Sequence, residues 1–212
     1  MSEATRWWWV RHAPVTVNEG RCYGQTDFPC DCSDDAAFAA LARVLPREAV
    51  WITSNLQRTY LTAAAIVHAG LPGPDPIPGP GVLMEPELAE QNFGDWQGVK
   101  YTDLPHKQGE AYHRFWLAPA HVAPPGGESF VALVERVTRA IRRLTREHQG
   151  RDIIAVTHGG TIRAAIIEAL GLSPEAALAI NIDNLSLTCL DHFAEAGGGH
   201  PWRVAAINQP PR

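Results

Sequence analysis

Long apolar runs are missing from this chain of 212 residues. No uninterrupted apolar segment reaches the roughly 20 residues that a membrane-spanning helix needs, so no transmembrane segment is expected. The N-terminal residues lack the basic start, apolar stretch and small-residue cleavage site of a signal peptide, so no export signal is expected either. Cysteine is scarce. Cys22, Cys30, Cys32 and Cys189 include no CxxC pair and do not have zinc-site spacing. They are expected to be free thiols of a cytoplasmic protein, in which the Asn184-Leu185-Ser186 sequon is a chance match. An excess of basic charge is also absent: 18 Lys plus Arg stand against 23 Asp plus Glu, for a formal net charge of −5. No basic run is dense enough to track a nucleic-acid backbone. An anionic ligand would therefore have to be held by a few placed cations.

The length suits one α/β domain over residues 1–212. Three segments share a layout in which a short apolar run gives way to polar residues and then to a helix-period pattern. The first runs from Trp7 to Val10 and ends in Arg11-His12. In the second, Ala49 to Thr53 leads through Ser54 and Asn55 into "LQRTYLTAAAIVHAG", with Arg58 in the first turn of a helix that Gly70 closes. The third, "DIIAVTHGG", enters "TIRAAIIEALG" with Gly171 as its stop. Continuous apolar runs alternating with helices predict strands buried on both faces of a mostly parallel sheet, in a three-layer α/β/α sandwich. Ligands of such sheets bind beyond the carboxyl ends of the strands. Arg11, His12 and His158 fall at those ends, and Arg58 just past one.

Other segments read as scaffold. "SDDAAFAALARVLP" predicts a helix with Ser33 as N-cap, Phe38, Leu41, Ala42 and Leu45 as its apolar stripe, and Pro46 as its stop. "ESFVALVERVTRAIRRLTREHQG" predicts a longer one, apolar through Phe130, Leu133, Val134, Val137, Ile141 and Leu144, with Arg136 to Arg146 on a solvated face. The proline spacing of "GLPGPDPIPGPG" predicts a stiff connection. Residues 91–127 carry Trp96, Trp116 and several histidines without a clear period, and are expected to pass over the strand ends as a lid, with both tryptophans in its core. Leu185 to Leu190 and Trp202 to Ile207 predict a hairpin across "EAGGGHP".

An Arg-His pair at one strand end, a second His at another and an Arg at a helix start suit a phosphoryl group. Guanidinium forks match phosphate oxygens, and a neutral imidazole is nucleophilic without a metal. A helix N-terminus adds free N–H groups, and Gly159-Gly160 lets the main chain approach an anion. Taken singly, each residue has a plainer explanation: a buried histidine is usually structural, and an arginine on a helix usually pairs at the surface. Their shared placement is what outweighs it. His106, His113 and His121 lack the spacing of a metal site, and neither a metal nor an organic cofactor is expected.

In order, Arg11-His12, "TSNLQRTYLTA", "LAEQNFGDWQG" and "VTHGGTIR" resemble the histidine phosphatase superfamily, also called phosphoglycerate mutase-like. "GRCYGQTD" is most similar to its α-ribazole phosphatase type, which acts in assembly of the cobalamin lower loop. The resemblance implies that His12 becomes a phosphohistidine, that Arg11, Arg58 and His158 surround the transferring group, and that Glu90 serves as general acid and then base. Glu85 and Glu87 are close enough in sequence to hold that last role instead. It also implies that Asn18 contacts phosphate and that Tyr23 and Gly24, with Gln25 beside them, meet substrate, as the Gly159 backbone is expected to. Three positions depart from the family pattern: Ala13 stands for Gly, Asn55 for Pro and Gln97 for Glu. The substrate implied is a small phosphorylated metabolite. α-Ribazole phosphate leads, and broad-specificity hydrolysis, phosphoglycerate mutase action and a non-catalytic phosphate-dependent binding module stay open. A homodimer is compatible with the sequence but not read from it.

Overall fold

Apolar runs that stop at Arg11, Thr53 and Thr157 become parallel strands whose ends lie level. A computed structural model of the chain describes residues 4–194 and 199–211. Its elements, in chain order, are β1 (Thr5–Arg11), α1 (Asp35–Val44), β2 (Val50–Thr53), α2 (Gln57–His68), β3 (Val82–Met84), α3 (Leu104–Leu117), α4 (Phe130–Glu147), β4 (Asp152–Thr157), α5 (Gly159–Leu170), α6 (Pro174–Leu178), β5 (Leu187–His192) and β6 (Trp202–Gln209). Two single 3₁₀ turns, Pro86–Leu88 and Gly94–Trp96, lie between β3 and α3.

The six strands form one sheet in the order β3-β2-β4-β1-β5-β6. The first four run parallel, and β5 is antiparallel to both of its neighbours. Arg11 pairs with Thr157 across β1 and β4, while Thr53 pairs with Val156 across β2 and β4. This register brings His12, Ser54 and His158, the next residue of each chain segment, to one edge of the sheet.

Side-chain alternation divides the strands between two cores, as strand geometry requires. Trp7, Trp9, Ile52, Ile153 and Ala155 pack with α4, α5 and α6, whereas Val10, Trp51, Ile154 and Val156 pack with α1 and α2. Trp7 and Trp9 stack at 4.6 Å on the first face, and the Trp7 indole N–H donates to Thr145 Oγ1 at 3.0 Å. Helices therefore cover both faces, and the three-layer expectation holds. From the adjacent ends of β1 and β4 the chain leaves toward opposite layers, the crevice where ligands of α/β sheets bind.

Several local expectations need correction. Asp34, rather than Ser33, caps α1 by accepting from the Ala37 N–H at 3.0 Å, because Ser33 is held in a preceding turn by Asp31. Residues 91–127 contain a helix, α3, bent at Gly109. Its few apolar residues, among them Leu104, Tyr112 and Phe115, pack with Cys22 and Trp96 in a small cluster, too few to print a period on the sequence. Trp96 is in that cluster, but Trp116 is 59% exposed. Arg136 does not lie on a solvated face: its side chain is 16% exposed and is covered by residues 85–90. The short edge strand β3 follows the proline-rich connection. β5 and β6 form the expected hairpin and run further in sequence than predicted, with residues 195–198 of its connection outside the described residues.

Candidate active site

His12 follows β1 directly, and three backbone bonds fix it. Its N–H donates to the Thr157 carbonyl at 2.9 Å, its carbonyl accepts from Asn184 Nδ2 at 2.7 Å, and the next N–H, that of Ala13, donates to Thr62 Oγ1 at 2.9 Å. The ring is buried, 1% exposed, and Nδ1 lies 2.7 Å from the Ala13 carbonyl. A carbonyl only accepts, so Nδ1 carries the proton and Nε2 the lone pair. Alanine supplies this carbonyl as glycine would. Burial pushes the His12 pKa down to about 3, helped by the nearby guanidinium of Arg58 and then that of Arg11, and against the opposing pull of the Ala13 carbonyl. The imidazole is neutral at neutral pH.

His158, the N-cap of α5, is fully buried, and its ring centroid stands 5.2 Å from that of His12. Its Nε2 is 2.8 Å from Ser54 Oγ. Ser54 Oγ already accepts the Leu56 N–H at 3.2 Å, so its own proton can go to Nε2 and leave His158 Nδ1 as an N–H donor. Burial, then Arg58 and His12, hold the His158 pKa well below the usual histidine value. Arg58 is also fully buried, donating from Nη1 to the Thr26 carbonyl at 3.0 Å and from Nη2 to the Gly24 carbonyl at 2.5 Å. Its guanidinium lies 5.1 Å from the centre of the Tyr23 ring. Arg11 donates from Nη1 to the Ile182 carbonyl at 2.5 Å. Among the described residues, Arg11 Nε, Arg58 Nε and His158 Nδ1 are buried without a hydrogen-bond partner. Orphaned buried donors are costly, and three of them near one neutral imidazole are a set that a bound anion would satisfy.

Glu90 reaches the same place from another direction. Its carboxylate accepts the Gly160 N–H, at 3.2 Å to Oε1 and 3.3 Å to Oε2, and its Oε1 accepts the Gln91 N–H at 2.9 Å. The approach depends on glycine, because a Cβ at position 160 would fall 2.3 Å from Glu90 Oε1. The Glu90 carbonyl accepts from Gln25 Nε2 at 2.8 Å and from Arg136 Nη2 at 3.0 Å. Arg136 also donates to the carbonyls of Glu87 and Ala89 and pairs with Glu128, so it clamps the whole acidic turn from α4. Glu85 and Glu87 are engaged elsewhere: Glu85 pairs with Arg143, and Glu87 with Arg139 at 3.8 Å and Arg143 at 3.6 Å.

The loop after β1 has mixed outcomes. Gly24 and Tyr23 support Arg58 from below, and Gln25 fixes Glu90. Gly24, at φ +43°, has no room for a side chain, since a Cβ would meet Gln97 Oε1 at 2.5 Å. Gln97, standing where the family pattern has Glu, accepts the Gln25 N–H at 2.7 Å and so joins this loop to the Glu90 segment. Asn18 Nδ2 is used within its own turn, on the Arg21 carbonyl at 2.9 Å. Gly159 opens α5 beside Arg11, where a Cβ would lie an ordinary 3.7 Å from Arg11 Nε. His121 pairs with Glu175 at the surface.

Sequence reasoning missed Ser54, Thr62, Asn184, Arg136 and Arg163 as site residues. Arg163 was within reach, being part of the "VTHGGTIR" motif; it donates from Nε to the Ile180 carbonyl at 2.9 Å. Together with Glu90, Arg163 lines a cavity of about 460 Å³ whose walls include Phe93, Trp96, Tyr101, Tyr112, Phe115 and Trp116. Burial lowers the Arg163 pKa, with Glu90 opposing that shift.

A sheet covered on both faces, with a neutral histidine, two arginines and a second histidine at its carboxyl edge, is an α/β fold with its ligand crevice lined by donors suited to an anion. Residues 7–208 match the model of the histidine phosphatase superfamily (branch 1), and the chain belongs to that superfamily. It is 33% identical over 169 residues to a metal-independent phosphoserine phosphatase of Arabidopsis thaliana, covering 77% of this chain and 68% of that one. It is 27% identical over 190 residues to the adenosylcobalamin/alpha-ribazole phosphatase of Escherichia coli, covering 88% and 89%. In structure it resembles the alpha-ribazole phosphatase of Shigella flexneri, with a TM-score of 0.81 at 24% identity over 97% and 96% of the two chains. The chain spans about half, 54%, of the length of mycobacterial relatives to which it is 27% identical over 209 residues.

The tight seat of Glu90 on Gly160 gives a direct test. Gly160→Ala is expected to displace the carboxylate and lower phosphate release from a phosphomonoester about a hundredfold, with circular dichroism unchanged. An unaltered rate in the folded variant would mean that Glu90 need not stand there.

Proposed function

We propose that the protein hydrolyses phosphomonoesters through a phosphohistidine at His12. The observation that carries this reading is the unprotonated Nε2 of His12 amid three donors, on Arg11, Arg58 and His158, that find no partner among the described residues. In the first step Nε2 attacks phosphorus in line with the leaving oxygen, the P–O bond breaks, and Glu90, entering the step as the carboxylic acid, gives its proton to the departing alkoxide and is left as the carboxylate. The two guanidinium groups and His158 Nδ1–H neutralise the equatorial oxygens, where a loose transition state spreads its charge. Glu90 then takes a proton from water, the water oxygen attacks phosphorus, and the P–N bond breaks to release inorganic phosphate and restore His12. The protein's own cations supply the charge, so the scheme has no step that calls on a metal or organic cofactor.

The leaving group would occupy the cavity beyond Glu90, with residues 91–127 as its wall and lid. Aromatic side chains dominate that wall, and Glu90 and Arg163 are the charged residues on it. Such walls suit an uncharged leaving group with a flat ring, and the "GRCYGQTD" loop points the same way. α-Ribazole phosphate is therefore the substrate we favour. Arg163 supports a second reading, a carboxylate-bearing ester such as phosphoserine, the substrate in the name of the Arabidopsis relative.

His12→Ala is expected to abolish turnover, and acid-labile label from a ³²P-phosphomonoester should attach to the protein only when His12 is present. Substantial phosphatase activity in that variant would refute the mechanism. Glu90→Gln should slow alkyl phosphates, whose leaving groups need a proton, by about a hundredfold or more, and aryl phosphates far less. Equal slowing of both ester classes would exclude Glu90 as the acid.

A further inference from the structure

The four cysteines occupy two kinds of surroundings. Cys22 and Cys189 are buried, which pushes their thiols up to about 11 and about 12 and leaves them protonated and inert. Cys30 and Cys32 are half-buried on the loop between β1 and α1, with their sulfurs 3.5 Å apart. A disulfide needs about 2.05 Å, so closure asks the two sulfurs to approach by about 1.5 Å in a segment without regular structure. The pair is also asymmetric. The hydrogen bond from Cys32 to its sulfur holds the Cys30 pKa below the ordinary thiol value against the opposing effect of burial, while the same contact, with burial, pushes Cys32 up. One sulfur is thus suited to attack, and its neighbour to resolve.

The pair touches the candidate active site through its supporting bonds. Cys30 Sγ donates to the Arg58 carbonyl at 3.3 Å and lies 3.5 Å from Thr62 Oγ1. Thr62 Oγ1 itself donates to the Arg58 carbonyl at 2.7 Å and accepts the Ala13 N–H at 2.9 Å. Ala13 is the residue whose carbonyl fixes the His12 ring. Between the cysteines, the Asp31 N–H donates to the Pro14 carbonyl at 2.7 Å. A change at Cys30 is therefore felt, through Thr62, by the backbone beside both Arg58 and His12.

We propose that Cys30 and Cys32 are a redox-active dithiol that a peroxide converts into an intramolecular disulfide, and that closure slows the phosphate site by disturbing the Arg58–Thr62–Ala13 contacts. The Cys30 thiolate attacks one peroxide oxygen, the O–O bond breaks, and the departing oxygen leaves as water or alcohol after taking a proton. Cys30 is then a sulfenic acid. The Cys32 sulfur attacks the Cys30 sulfur, the S–S bond forms, the S–O bond breaks, and the hydroxyl leaves as water with the Cys32 proton. Two electrons pass from the two sulfurs to the peroxide, and a dithiol reductant returns them. The coupling to turnover rests on the function proposed above, whereas the disulfide itself does not.

The test treats the full chain with hydrogen peroxide, blocks remaining thiols with iodoacetamide, and reads intact mass, peptide mass and phosphate release. Expected are a mass lower by about 2 Da before blocking, Cys30 and Cys32 both protected, and full recovery in dithiothreitol. Turnover should fall about fivefold on oxidation, the effect of one lost hydrogen bond, and return on reduction. Cys32→Ser should form no disulfide and leave a Cys30 sulfenic acid that dimedone captures. If Cys30 and Cys32 both stay open to iodoacetamide, or if oxidation falls on Cys22 or Cys189 instead, the redox pair is overturned. A disulfide with unchanged turnover overturns the coupling. Mass and alkylation need no turnover, so they decide the pair even where the phosphatase reading fails.

Discussion

The 2.7 Å hydrogen bond from His12 Nδ1 to the Ala13 carbonyl selects the nitrogen that faces a ligand. Without it the ring could carry its proton on either nitrogen, and a buried, proton-bearing Nε2 would be no nucleophile at all. Much of the surrounding structure keeps that one bond in register. The Thr157 carbonyl holds the His12 N–H, Asn184 holds its carbonyl, and Thr62 holds the Ala13 N–H. Pro14, which disfavours helical backbone at Ala13, works in the same sense. A strand, a helix and a distant loop thus converge on two residues.

Two opposite electrostatic demands meet at this point. Burial disfavours charge, and it drives both histidines toward the neutral form. A phosphate ligand needs positive charge, which arginine retains under the same conditions because its guanidinium is so reluctant to give up a proton. Division of labour follows from that difference: the imidazoles stay neutral, and the arginines stay charged. The arginines reach this state by spending their Nη donors on backbone carbonyls of Ile182, Thr26 and Gly24 while Nε remains unused.

Residues at the ends of apolar runs were legible in the sequence. Arg11, His12 and His158 lie where buried strands must stop, and Arg58 lies where a helix must start, so periodicity gave their places and the family resemblance gave the roles expected of them. Glu90 was harder. Its position depends on which of three nearby acids is released from surface pairing, and that is decided by Arg139 and Arg143 on a helix some 50 residues later. Arg136 was misread for a related reason: helical periodicity reports the apolar face of α4 and is blind to a segment that folds over the polar one. Asn184 and Ser54 looked like loop residues because their partners are distant in sequence, 172 positions for Asn184 and 104 for Ser54. Asn18 matches a family position, and the one bond its side chain makes, from Nδ2 to the Arg21 carbonyl, lies within its own turn.

The state of one ring decides whether this arrangement is a nucleophile or a structural histidine. Nitrogen-15 NMR of the His12 imidazole, assigned by comparison with His12→Gln, reads both tautomer and charge during a pH titration. The structure predicts a neutral ring with its proton on Nδ1 at neutral pH and a midpoint near 3, far below the value of about 6.5 for a free imidazole. A ring that is already an imidazolium at neutral pH, or that carries its lone proton on Nε2, would contradict the account.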